Sequence, residues 1–211
     1  MTAYRSALRR AAAAAAVTMA ASVALAACGS DAASTGHAGH GKPSAGASAP
    51  ASAGEHNAAD VSFAQGMIPH HRQALEMAGL AATRAASQEV KDLAAEIERA
   101  QQPEIDTLTG WLESWGEDVP AGGSTDHSGH SGHGMTGMMS PEQMEKLEKS
   151  SGKEFDTAFL EMMIEHHKGA VAMAEAQREN GSHGPAKSMA DEIVTTQGDE
   201  IDRMNELLGK E

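Results

Sequence analysis

The chain has 211 residues, 16 Lys+Arg against 30 Asp+Glu, a formal charge of −14, a single Cys and 3% aromatic residues. So acidic a chain offers no basic face for phosphates, which excludes nucleic acid as a partner. The scarcity of aromatic residues argues against a β-sandwich. The lone Cys excludes an intramolecular disulfide and any multi-cysteine zinc or iron–sulfur centre.

Residues 1–27 read as a signal peptide of the lipoprotein type. Arg5, Arg9 and Arg10 precede an apolar run from Ala11 to Ala27, the charged-then-apolar order of a secretory signal and marginal in length for a spanning helix. The run ends Leu25-Ala26-Ala27-Cys28, which resembles the bacterial lipoprotein processing box. That resemblance implies acylation of Cys28, export, and attachment to the outer face of the cell membrane; the alternative is an ordinary signal peptide with an unmodified cysteine. Residues 28–57 are mostly Gly, Ala, Ser and Pro, with His37, His40 and His56. Such a composition cannot bury enough apolar surface to fold and reads as a flexible tether.

Residues 58–211 read as one bundle with an internal repeat: repeat 1 over 58–115, a His/Gly/Met-rich loop over 116–140, and repeat 2 over 141–211. A shift of 96 residues overlays the chain on itself without a gap, with 18 identities in the 53 positions from 60 to 112. Asp60, Phe63, Met67, Ile68, His70, His71, Ala74 and Met77 recur as Asp156, Phe159, Met163, Ile164, His166, His167, Ala170 and Met173. Further on, Gln101 and Glu104 recur as Gln197 and Glu200.

Each repeat predicts two helices. Phe63, Met67, His70, Ala74, Met77 and Ala81 share one face of the first, and Leu93, Ile97, Glu104, Leu108 and Trp111 one face of the second. The turns fall near Ser87 and near His183, and Ser140-Pro141-Glu142 predicts an N-cap with Pro at the first helical position of a short extra helix. Two amphipathic hairpins make an all-α, ferritin-like antiparallel four-helix bundle.

His70 stands 17 residues before Ser87 and Glu104 stands 17 after it, and His183 lies midway between His166 and Glu200 in the same way. Antiparallel helices therefore bring His70, His71, Gln101 and Glu104 to the height of His166, His167, Gln197 and Glu200, roughly 25 Å from the turns. Carboxylates in an apolar stripe are costly unless paired or metal-bound. Imidazole with carboxylate suits zinc, copper, iron or nickel, and added thioether shifts the preference toward Cu(I). Two alternatives stand beside this reading: His and Glu pair only to set packing register, and the Met residues merely fill the core. Asp60 and Asp156 read as first-turn or surface charges.

A second candidate is the tract from Asp126 to Met139. His127, His130 and His133 are followed by Met135, Met138 and Met139, among Gly and Ser that keep side chains free to wrap an ion. Imidazole takes Cu(II) and thioether Cu(I).

Met67-Ile68-Pro69-His70-His71 with Ala74 and Met77, and Met163-Ile164-Glu165-His166-His167 with Ala170 and Met173, resemble the bacterial "domain of unknown function 305" family over roughly residues 58 to 211. The resemblance implies a ferritin-like bundle, export and, for some similar proteins, periplasmic copper binding and copper tolerance. By that analogy the ligands come from Met67, His70, His71, Met77, Met163, His166, His167 and Met173. No Glu precedes His70 or His166 at the Glu-x-x-His spacing of di-iron enzymes, which argues against di-iron chemistry. Together these features read as an exported, membrane-tethered copper binder that sequesters or hands over the metal. The alternatives are a metal-dependent oxidoreductase acting on Cu(I), and a structural bundle without metal.

Overall fold

The computed structural model describes residues 55–121 and 136–210. Cys28, His37, His40, His127, His130, His133 and Met135 lie outside the described residues. Five helices follow in order: α1 (Ala58–Arg84), α2 (Gln88–Trp115), α3 (Pro141–Lys149), α4 (Gly152–Asn180) and α5 (Gly184–Leu207). There is no strand among the described residues beyond an isolated bridge between Ala85 and Gly152. The hairpins α1/α2 and α4/α5 pack together chiefly through α1 on α4, with α3 resting against both. The molecule is the expected antiparallel bundle of two hairpins. No described helix is long and apolar enough to cross a membrane.

Of the described helices, α1, α2 and α3 begin where side chains satisfy their first amides. Asn57 accepts from Ala59 and Asp60 N–H, and Asp60 answers from the third helical position. Ser87 opens α2 through Val90 N–H. Ser140 and Gln143 form a reciprocal box at α3, with Pro141 at the start, as the sequence predicts. Gly116 ends α2 in the left-handed region at φ 76°, where a Cβ would be strained.

The duplicated aspartates do more than cap their own helices. Asp60 is fully buried. Its carboxylate accepts from Gln177 and from the amides of Ser182 and His183 at 3.1 Å, across the bundle in the α4/α5 turn. Asp156 accepts from the amides of Ala86 and Ser87 at 3.0 Å in the α1/α2 turn. Each repeat thus closes the hairpin of the other through residues related by the 96-residue shift. The sequence showed only first-turn or surface charges, because the partner amides arrive from 69 to 123 residues away.

The apolar core comes in two parts. One holds Met77, Leu93, Ile97, Phe155, Phe159 and Met163, and the other Phe63, Met67, Ile68, Leu108, Leu112 and Ile193. Between them, in chain order on all four long helices, lie His70 and His71, Gln101, His166 and His167, and Gln197, all buried.

Burial pushes the Asp60 carboxyl up, but hydrogen bonds from Asn57, Gln177, Ser182 and His183 outweigh it and hold the group at about 2, against an ordinary 3.8. A depressed carboxylate stabilises the fold above the unfolded value and loses that contribution as pH falls through the folded one. Chemical denaturation across pH is expected to show stability dropping between about pH 4 and pH 2. Asp60→Asn should lack that part of the drop and be less stable by roughly 2 kcal/mol at neutral pH.

Candidate metal centre

α1 and α4 carry the four imidazoles, and all four side chains are fully buried. The rings of His70 and His166 meet with centroids 3.8 Å apart and planes tilted by 40°. The repeat shift exchanges these two residues, so their contact lies where the two halves of the molecule meet. On either side, His71 Nε2 donates to Glu104 Oε2 at 2.6 Å, and His167 Nε2 donates to Glu200 Oε2 at 2.7 Å. Both glutamate side chains remain 20% exposed. The sequence brought the eight residues to one level; the structure adds that each glutamate takes the second histidine of its pair, leaving the first to meet its counterpart.

The proton pattern follows from these contacts. With Nε2–H of His71 and His167 committed to carboxylates, Nδ1 is the remaining coordinating atom on each ring. His70 Nε2 donates to the Thr136 carbonyl at 3.3 Å, again leaving Nδ1. Among the described residues, Nδ1 of all four rings meets no hydrogen-bond partner, and His166 Nε2 meets none either. Both ends of the Gln101 amide and Oε1 of Gln197 are likewise unsatisfied. Buried polar atoms are nearly always paired, so unpaired nitrogens gathered in one layer mark a place suited to a ligand.

The donor set fits a soft or borderline metal ion in part. Among the described residues no three His, Cys, Asp or Glu side chains converge as a formed metal centre. Imidazoles would therefore need thioether to complete a coordination shell. Met67 and Met163 are fully buried and stand three residues before His70 and His166, on the same helical face one turn away. Met77 and Met173 stand seven residues beyond those histidines, about 10 Å along the axis, with Met77 in one apolar cluster and Met173 packed against the other.

Of the His/Met tract, the described end is ordered differently from a free loop. Met138 is half-buried, and Met139 is packed in the core. Gln73 grips Met139 by both backbone groups, its Nε2 donating to the carbonyl at 2.9 Å and its Oε1 accepting from the amide at 2.7 Å. The other described end of this connection is also held by α1, with Gln65 donating to the Asp118 carbonyl and Arg72 to that of Pro120. Sequence reasoning missed Gln73, whose only signal is a buried amide on the helical face of His70 three residues earlier.

A duplicated helical hairpin with a buried imidazole layer across its middle defines the class of molecule. The chain belongs to the DUF305 family: the model for "Domain of unknown function (DUF305)" matches residues 60–208. It is similar to a DUF305 protein from Streptomyces coelicolor whose name describes it as secreted, with 34% identity, 72% of this chain and 93% of that one covered, and a TM-score of 0.64. A DUF305 fragment from Deinococcus radiodurans is 30% identical over 74% of this chain and 98% of that one, with a TM-score of 0.64. CopM in its Cu(II)-bound form is 34% identical over 70% of this chain and 94% of that one, with a TM-score of 0.60, and CopM is also similar in a Cu(I)-bound form. Comparison with curated proteins returns no match.

Burial, reinforced by the neighbouring His71, holds His70 down at about 3 against an ordinary 6.5, although the Thr136 carbonyl acts the other way. Burial also drives His166 well below the ordinary value, with His70, His167 and His71 adding to it. Both rings are neutral at physiological pH, the form that binds metal. Because their folded values lie below the unfolded one, the unfolded chain takes up more protons on acidification. Stability is intact above about pH 6.5 and declines as pH falls toward about 3. The melting temperature of the metal-free protein should fall from about pH 7 to pH 4.5, and His166→Leu should flatten that fall. A melting temperature insensitive to pH in this range would contradict the assignment.

Proposed function

We propose that this protein is an exported, membrane-tethered copper binder that sequesters copper or hands it on, with copper as cargo rather than as a catalytic cofactor. The observation that carries the reading is the buried layer of four imidazoles, each with Nδ1 free of any hydrogen-bond partner among the described residues. Neutral imidazole and thioether in a dry, apolar surround suit copper, and the thioethers favour Cu(I). His70, His71, His166 and His167 supply the nitrogens, and Met67 and Met163, one helical turn before His70 and His166, supply sulfurs. Met77 and Met173 would assist from two turns away. Glu104 and Glu200 orient His71 and His167 through their Nε2 atoms, as carboxylates commonly do for metal-binding histidines. Their partial exposure places the negative charge of the site toward solvent, where it attracts cations. The similarity to CopM, known in Cu(I)- and Cu(II)-bound forms, supports the same metal.

His127, His130, His133, Met135 and Met138 form a capture tract in this reading, with Met139 anchoring its end in the core. Acylation of Cys28 would hold the bundle at the outer face of the membrane. The secreted Streptomyces coelicolor relative supports export.

Titration of the purified protein with Cu(I) against a chromophoric chelator tests the layer. Changing His70, His71, His166 and His167 together to Ala should abolish the tight site while leaving weaker binding by the tract; unchanged stoichiometry and affinity would dismiss the bundle site. Met67→Leu with Met163→Leu keeps the core filled and should weaken Cu(I) about 10-fold while sparing Cu(II). Cys28→Ser should move the protein from the membrane to the soluble fraction and remove labelling by radioactive fatty acid.

A further inference from the structure

The two histidine pairs occupy equivalent places in the repeats, but their surroundings differ at one position. One turn beyond the pairs stand Gln73 on α1 and Gly169 on α4, matched by the 96-residue shift. Both serve the same piece of chain, the strap Thr136–Met139 that leads into α3. Gln73 holds the strap by the Met139 amide and carbonyl. Gly169 makes room for it: a Cβ on this residue would lie 2.0 Å from the Thr136 carbonyl oxygen and 2.9 Å from Gly137 Cα. Gly137 answers with φ 87°, and a Cβ there would lie 2.7 Å from the Glu165 carbonyl oxygen and 3.0 Å from that of His166. Backbone therefore lies directly on backbone, a contact open only to glycine on both sides. Among the described residues, the strap hydrogen-bonds the imidazole layer through the Thr136 carbonyl oxygen, which accepts from His70 Nε2. Neither nitrogen of His166, the equivalent ring, meets a hydrogen-bond partner among the described residues.

We propose that Gln73 and Gly169 are positioning residues that dock the strap so that the Thr136 carbonyl holds His70 as its Nε2–H tautomer, reserving Nδ1 for the metal and making the two histidine pairs unequal. A carbonyl oxygen only accepts, so the opposite tautomer would set two lone pairs against each other in a buried place. One ring of the central pair is thereby fixed before any ion arrives, and the other adapts by either nitrogen. An ion then meets a preset donor rather than two rings that must both reorganise. This inference rests on the reading of the layer as a copper site.

Two variants test it without touching a proposed ligand. Gly169→Ala displaces the strap from α4, and Gln73→Met keeps the buried volume while removing both hydrogen bonds to Met139. Long-range proton–nitrogen NMR of the metal-free protein reports the tautomer of each ring, amide exchange at Met139 reports strap docking, and Cu(I) competition reports affinity. Wild type should show His70 as Nε2–H. Both variants should show faster Met139 exchange, a raised Nδ1–H population at His70 with His71 and His167 unchanged, and Cu(I) affinity lowered about 10-fold at unchanged stoichiometry. Faster exchange with an unaltered His70 tautomer and unaltered affinity would overturn the positioning role. Wild-type protein with the Nε2–H tautomer but without Cu(I) binding would instead overturn the copper reading and the metal half of this inference with it. If Gly169→Ala fails to fold, Gln73→Met alone carries the decision.

Discussion

The interaction on which the rest of the structure depends is the burial of four imidazoles in one layer across the bundle. An unsatisfied buried polar group costs on the order of 1–3 kcal/mol, and this layer holds several. The apolar clusters on either side supply the compensating stabilisation and exclude water, which keeps His70 and His166 neutral. The same low-dielectric surround that makes the layer costly strengthens any interaction within it. A ligand that binds only the folded state returns stability, about 2.7 kcal/mol at a hundredfold excess over Kd. In the proposed reading, the layer lowers the stability of the metal-free bundle and copper offsets that loss on binding.

Duplication explains how the layer is assembled. One hairpin cannot bury its own stripe, but two place their histidines against each other wherever the halves meet. The reciprocal aspartates secure that register: Asp60 reaches the Ser182 and His183 amides, and Asp156 those of Ala86 and Ser87. Each half is thus tied at its turn by the start of the other, and a slip by one helical turn would break both ties and separate His70 from His166. The near identity of His71–Glu104 and His167–Glu200, at 2.6 and 2.7 Å, is the same economy repeated.

Symmetry ends at the connection between the hairpins. A chain that doubles a hairpin must still carry one link from the first to the second. Its described end, Thr136–Met139, lies beside the histidine layer and is received by Gln73 in one half and Gly169 in the other. The divergence at this matched pair is what allows a single strap to lie between two otherwise equivalent helices. Among the described residues, the Thr136 carbonyl of this strap hydrogen-bonds His70 and not His166.

Much of this was legible in the residues. The 96-residue repeat, the 3.6-residue apolar period, the turn near Ser87 and the cap at Ser140 specify four long helices and a short one, because these signals act over a few residues of one chain segment. Equal spacing of His and Glu about each turn specified the level of the polar layer, since helical rise is constant. Tertiary structure alone decided the rest. That Glu104 takes His71 rather than His70, that the His70 ring meets that of His166, that Asp60 is buried beneath a distant turn, and that Met139 belongs to the core all depend on rotation about helix axes and on contacts between segments far apart in sequence. Spacing along one helix sets height, whereas the partner at that height is chosen by how helices face one another, and only the folded bundle determines that.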